Sequence, residues 1–109
     1  MRSKSPNTTD KRQAKLPPVH PGEILKETLE DLRLSMNRLA QEIRVPANRI
    51  SGIVAGQRSI TGETALRLGR YFGTTPDYWI HMQARYDLET ARDAFELRIQ
   101  SEIRPRNAA

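Results

Sequence analysis

Cysteine is missing from all 109 residues. That excludes a disulfide framework and a thiolate metal site, and it suits a reducing compartment, so a cytoplasmic location is expected. Histidine is scarce: His20 and His81 are the only two, far apart in sequence. Around them there is no Ser/His/Asp spacing, Gly-rich phosphate loop or metal-ligand cluster. An enzyme is therefore the weakest functional class, and no cofactor or metal is implied. No apolar run approaches the roughly 20 residues that a membrane helix needs, and the first residues lack the apolar core of a signal peptide. Acid is nearly absent from the first 19 positions, where Arg2, Lys4, Lys11, Arg12 and Lys15 face Asp10 alone. Five cations less one acid place +4 of the net charge of +5 in this stretch. With almost no apolar side chains to bury, residues 1–19 are predicted to be a flexible, disordered basic tail. It is either an arm that reaches phosphates or a solvated tail without a partner.

What the chain does have is a pattern between Ser35 and Ser59, SMNRLAQEIRVPANRISGIVAGQRS. Ser35 suits a helix cap, because its hydroxyl accepts an orphan backbone N–H. Leu39, Ala40 and Ile43 then recur at helical spacing on one face. Val45-Pro46 interrupts the run, since the residue before proline is pushed out of the helical region, and Pro46 suits the first turn of a new helix. Ile50, Ile53 and Val54 form the next apolar stripe, and Gly56 is a natural stop. This is a helix-turn-helix pattern whose second helix shows Ala47, Asn48, Arg49, Ser51 and Gly52 to the outside. Small residues allow entry into a major groove, and Asn and Arg make paired hydrogen bonds to base edges. The same residues also fit an ordinary two-helix corner with a polar outer face.

The remaining segments are helical too. Helix one is expected from Pro21 to near Arg33, with Ile24, Leu25, Thr28, Leu29 and Leu32 as its buried stripe. Asn37 and Arg38, at the start of the motif, and Gln57, Arg58 and Ser59, just past its second helix, are candidate phosphate contacts. Thr61 caps a helix running to Phe72, with Ala65, Leu66, Leu68, Gly69 and Phe72 inward and Gly73 as its end. Thr75-Pro76-Asp77 is another helix start. Tyr78, Trp79, Met82, Ala84 and Tyr86 follow and either close the core or meet a second subunit. From Leu88 an amphipathic pattern continues through Ala91, Phe95, Ile99 and Ile103, with Asp87 as a break or the helix running through. The expected division is the tail, a DNA-binding domain over 20–87, and a C-terminal helix with a frayed end over 88–109. The fold class is all-α in one small domain, and the pI near 10.1 suits a polyanionic partner.

From His20 to Glu89, HPGEIL, VPANRIS, GQRSIT, ALRLGRYFGT and PDYWIHMQARYDL together resemble the HigA-type antitoxins of bacterial toxin–antitoxin modules, in the Xre/lambda-repressor-like helix-turn-helix class. The resemblance implies a five-helix lambda-repressor-like DNA-binding bundle, here with an additional C-terminal helix. It also implies a homodimer on a palindromic operator, repression of the module's own operon, and neutralisation of a RelE-like mRNA-cleaving toxin, HigB. It assigns base reading to Ala47, Asn48, Arg49 and Ser51, and backbone contacts to Arg58 and Ser59. One departure is Arg44, which stands where the turn usually carries glycine for a left-handed backbone. Either Arg44 bears that strain and adds a phosphate contact, or the turn is remodelled. Trp79, Met82, Tyr86 and Phe95 are the candidate dimer contacts. The runner-up function is a stand-alone Xre-type repressor without a toxin, followed by a pure protein-interaction module.

Overall fold

A computed structural model describes residues 16–107, which are all-α with no strand among them. Five helices follow in order: α1, Pro21–Leu32; α2, Met36–Ile43; α3, Ala47–Val54; α4, Gly62–Phe72; and α5, Pro76–Glu102. The expected disorder of residues 1–15 lies outside the described residues. Most helix starts are set by the side chains that the sequence singles out. Ser35, Thr61 and Thr75 accept from the backbone N–H groups of Arg38, Thr64 and Tyr78, each satisfying a donor that the first helical turn leaves orphaned. Pro46 is the exception: it precedes α3 with extended backbone and gives no side-chain cap.

α1 and α2 both end on an arginine in the left-handed region, Arg33 at φ 55° and Arg44 at φ 62°. The amide of the next residue reaches five positions back, Leu34 to Leu29 O and Val45 to Ala40 O. These bonds satisfy terminal carbonyls in the geometry that glycine usually supplies. The turn of the motif therefore keeps its usual shape and Arg44 carries the strain, on the order of 1–2 kcal/mol.

The core is built from Leu25, Leu39, Ile50, Ile53, Ala65 and Leu68, with Leu29, Ala40, Ile43, Ile60 and Trp79 around them. Trp79 is 1% exposed. Its indole Nε1 donates to Thr74 Oγ1 at 3.0 Å, and its ring meets Tyr78 and Phe72 at centroid distances of 5.1 and 6.0 Å. Two expectations about the core are corrected. Leu32 is 57% exposed and Leu66 62%. Leu32 is on the right stripe but in the last turn of α1. Leu66 is one 100° step from Ala65, off the line of Ala65, Leu68, Gly69 and Phe72.

The last segment is not an additional helix but the second half of α5. Positions 77–102 hold neither glycine nor proline, and Asp87 makes no break. It accepts from Gln83 Nε2, one turn earlier, at 2.9 Å. At 27 residues α5 is about 40 Å long, and from Thr90 onward every described residue is exposed.

The start of α1 is pressed against the end of α3. A β-carbon at Gly22 would overlap the carbonyl oxygen of Ile53, so only glycine allows that approach. His20 caps α1 from the same place, its Nδ1 accepting from Gly22 N at 2.8 Å, while its ring makes a T-shaped contact with Tyr86 at a centroid distance of 4.8 Å. An acceptor Nδ1 requires the neutral imidazole. Burial pushes the His20 pKa below its ordinary 6.5, against the opposing pull of Asp87 and Glu23. The unfolded chain therefore takes up this proton first as pH falls. The contribution to stability is present above pH 6.5 and is lost below it. Urea unfolding between about pH 7.5 and 5.5 is expected to show declining stability, and His20→Asn, which keeps a capping oxygen, to flatten that decline. Equal slopes in the two proteins would contradict the assignment.

Candidate nucleic-acid interface

Eight residues make too short a helix to persist by itself, so α3 takes its position from what lies under it. Ile50 and Ile53 are wholly buried, which turns the opposite side of α3 outward. Ala47, Asn48 and Ser51 are exposed. Ser51 Oγ donates to the Asn48 carbonyl at 3.3 Å, while among the described residues no hydrogen bond engages the Asn48 side-chain amide. Arg49 is less open than its neighbours. Its side chain is 28% exposed and its Nη1 lies 3.7 Å from Glu63 Oε1, in the first turn of α4.

The candidate backbone contacts, Asn37, Arg38, Arg44, Gln57, Arg58 and Ser59, are all exposed. They lie in three places: the first turn of α2, the turn of the motif, and the loop after α3. The amides of Gln57 and Arg58 both donate to Gly52 O, at 2.9 and 3.1 Å, which folds that loop back on the end of α3. The Arg58 side chain then lies across Gly52, where an added β-carbon would come within 3.3 Å of Arg58 Cβ. Arg38 is paired one turn on with Glu42, Nε to Oε2 at 3.0 Å. Neither Arg44 nor Arg58 has an ion-pair partner among the described residues. Arg44 lines a shallow groove with Arg67, Arg70 and Tyr71. Two solvated, unpaired guanidinium groups beside a helix that presents Asn48 can bind phosphate without first breaking a bond.

Of the candidate dimer contacts, Trp79 is corrected: its surface is spent inside the subunit and offers nothing to a second copy. Met82 is half-buried and packs against the core, Tyr86 is half-buried on His20, and Phe95 is exposed, with the Arg98 guanidinium 5.1 Å from its ring centre.

Three residues that position this surface escape the sequence pattern. Gln83 is buried, and its Oε1 accepts from Ile60 N at 2.8 Å, fixing the loop after α3 to α5. Arg67 Nη1 donates to Ile43 O at 2.9 Å, holding the end of α2 from α4. Glu63 receives Arg67 through Nε and Nη2 at 3.1 and 2.8 Å. The described residues hold no group of three or more metal-ligating side chains, and no helix among them is long and apolar enough to cross a membrane.

Residues 25–79 match the helix-turn-helix family model. Over 77 residues the chain is 49% identical to virulence-associated protein I of Dichelobacter nodosus, an alignment covering 70% of this chain and 71% of that protein. It is similar to the structure of an addiction module antidote protein of the HigA family from Coxiella burnetii, with a TM-score of 0.81 and 44% identity over 84% of this chain and all of that one. It is also similar to Pseudomonas aeruginosa antitoxin HigA, solved with the higBA promoter, with a TM-score of 0.79 and 43% identity over 81% of this chain and 97% of the other.

Replacing Gln83 by leucine keeps the volume but leaves the buried Ile60 N–H without an acceptor. The expected cost is about 1–3 kcal/mol in urea unfolding. A loss below about 0.5 kcal/mol would show that Gln83 is not the staple of this loop.

Proposed function

The chain belongs to the helix-turn-helix family, and we propose that it is a sequence-specific DNA-binding antitoxin of the HigA type. In this reading two copies related by a two-fold axis set α3 into successive major grooves about 34 Å apart on a palindromic operator. They repress the operon that encodes them. A RelE-like mRNA-cleaving toxin of the HigB type is the protein partner that they neutralise. The observation that carries the DNA half is the unengaged Asn48 amide on an exposed face of α3, flanked by the unpaired Arg44 and Arg58. The likeness to a HigA antitoxin solved with a promoter supports the same half, and the antidote name borne by the Coxiella relative supports the toxin half.

Within this reading Asn48 and Arg49 read base edges, with the small side chains of Ala47 and Ser51 allowing close approach. Arg44 and Arg58 neutralise phosphates, and Asn37, Arg38, Gln57 and Ser59 fix the register. The second copy is held by the outer half of α5, where Leu88, Phe95 and Ile99 stand exposed at helical spacing, with Ile103 exposed just past its end, an apolar surface of the kind that marks association.

Asn48→Ala is expected to cost about 1–3 kcal/mol of operator affinity and to relax preference at one base pair. Arg58→Ala is expected to weaken operator and unrelated DNA alike, and to reduce the slope of log affinity against log salt by about 0.9. Fluorescence anisotropy with the DNA upstream of the gene, over a salt series, measures both. Equal affinity of the unaltered protein for upstream and unrelated duplexes would contradict the DNA reading. Failure of the protein encoded beside it to co-purify would leave a stand-alone repressor.

A further inference from the structure

We propose that Glu63 sets the sequence discrimination of the DNA interface by governing what Arg49 can reach. The inference rests on the reading of α3 as the helix that meets base pairs. Between Ile43 and Pro76 the chain carries five arginines, at 44, 49, 58, 67 and 70, and one acid, Glu63. A second acid, Glu42, lies just before this stretch and is taken up by Arg38. Glu63 is the carboxylate beside α3, where it opposes contact with phosphate, so its place calls for a compensating role.

Its geometry supplies one. Glu63 is 59% exposed in its side chain, yet the carboxylate is not free to swing away. Oε2 is gripped by Arg67 through two N–H groups, at 3.1 and 2.8 Å. Arg67 is itself anchored by its third bond, to the Ile43 carbonyl at 2.9 Å. The other oxygen, Oε1, is thereby aimed at Arg49, at 3.7 Å. That distance is an ion contact and longer than a hydrogen bond, so the Arg49 donors are attracted but not consumed.

An arginine without such a neighbour settles on whichever phosphate is nearest, and that contact carries no sequence information. Beside Glu63, leaving for a single phosphate exchanges one anion for another and gains little. A guanine edge offers two acceptors in the fork that a guanidinium matches, and an Arg49 held near Glu63 by a 3.7 Å ion contact keeps its donors available for that edge. Glu63 thus weakens binding to every sequence and weakens it least for the right one, and a difference of affinities is what specificity consists of. Glu63 touches no base and acts through Arg49, as a positioning residue.

Glu63→Gln in the full chain keeps an oxygen for Arg67 and removes the charge. Binding to the upstream duplex and to an unrelated duplex is measured by anisotropy over a salt series. Unrelated DNA is expected to bind about tenfold tighter and the upstream site only about twofold tighter, so that discrimination falls about fivefold. The salt slope on unrelated DNA is expected to steepen by about 0.9, because one more cation now reaches a phosphate. In an Arg49→Ala background the same replacement is expected to leave discrimination unchanged, and Glu63→Asp, which restores the charge, is expected to recover part of the loss. A purely structural role predicts instead a lower melting temperature with equal weakening on both duplexes. Discrimination untouched by Glu63→Gln, or altered equally with and without Arg49, overturns the proposal. If the unaltered protein already binds both duplexes alike, the DNA reading fails and this inference with it. If it discriminates and Glu63→Gln discriminates equally well, only the role of Glu63 falls.

Discussion

The burial of Ile50 and Ile53 is the interaction on which everything else in this molecule depends. Helix formation has a costly nucleus, and a sequence as short as Ala47–Val54 does not persist in water without tertiary support. Two wholly buried isoleucines contribute about 1.5–3 kcal/mol each, and they fix rotation as well as existence. With positions 50 and 53 pinned beneath, positions 47, 48 and 51 have nowhere to go but outward. The rest of the bundle serves that placement. Gly22 lets α1 touch the Ile53 carbonyl, Arg67 holds the end of α2 through the Ile43 carbonyl, and Gln83 holds the loop that follows α3.

The charge distribution agrees with this division of labour. Acids concentrate on α1 and along α5, where Arg85–Glu89, Arg92–Glu96 and Arg98–Glu102 pair one turn apart. Such exposed pairs add a few tenths of a kcal/mol each to a helix, and they also cancel their own field. The segment between α2 and α5 is left with an excess of arginine. A basic surface that is local to one face steers and orients a polyanion better than the same charge spread evenly. The outer half of α5 is the reverse case, with four acids against two arginines between Leu88 and Glu102 and apolar side chains exposed at Leu88, Phe95 and Ile99, and it suits a protein partner.

Much of the fold was legible in the sequence because its signals are short-range. The Ser35, Thr61 and Thr75 caps, the start at Pro21 and the end at Gly73 each depend on a few neighbouring residues. The left-handed turn at Arg44 was one of two readings offered by the family's glycine at that place, and the backbone at φ 62° decides for it. What periodicity could not supply were bonds between distant positions. Gln83 meets Ile60 across 23 residues and Arg67 meets Ile43 across 24, and nothing local marks a glutamine or an arginine for that duty. Trp79 illustrates the same limit. Its type fits a core or an interface equally well, and only the surrounding Phe72, Tyr78 and Thr74 decide. Asp87 was left open for a related reason, since a polar residue breaks an apolar pattern without breaking a helix. At the candidate interface the exposed residue types were legible, whereas the hold of Glu63 on Arg49 was not.

The central claim is that the outward side of α3 lies against base pairs while the bundle beneath keeps it there. Amide chemical-shift mapping of the full chain, as a duplex from upstream of its gene is added, tests this most directly. The largest changes are expected at Ala47–Ser51 and Gln57–Ser59, with the core amides of Ile50 and Ile53 still protected from exchange. Changes confined to α1 or to the outer half of α5, with Asn48 and Arg49 unmoved, would contradict it.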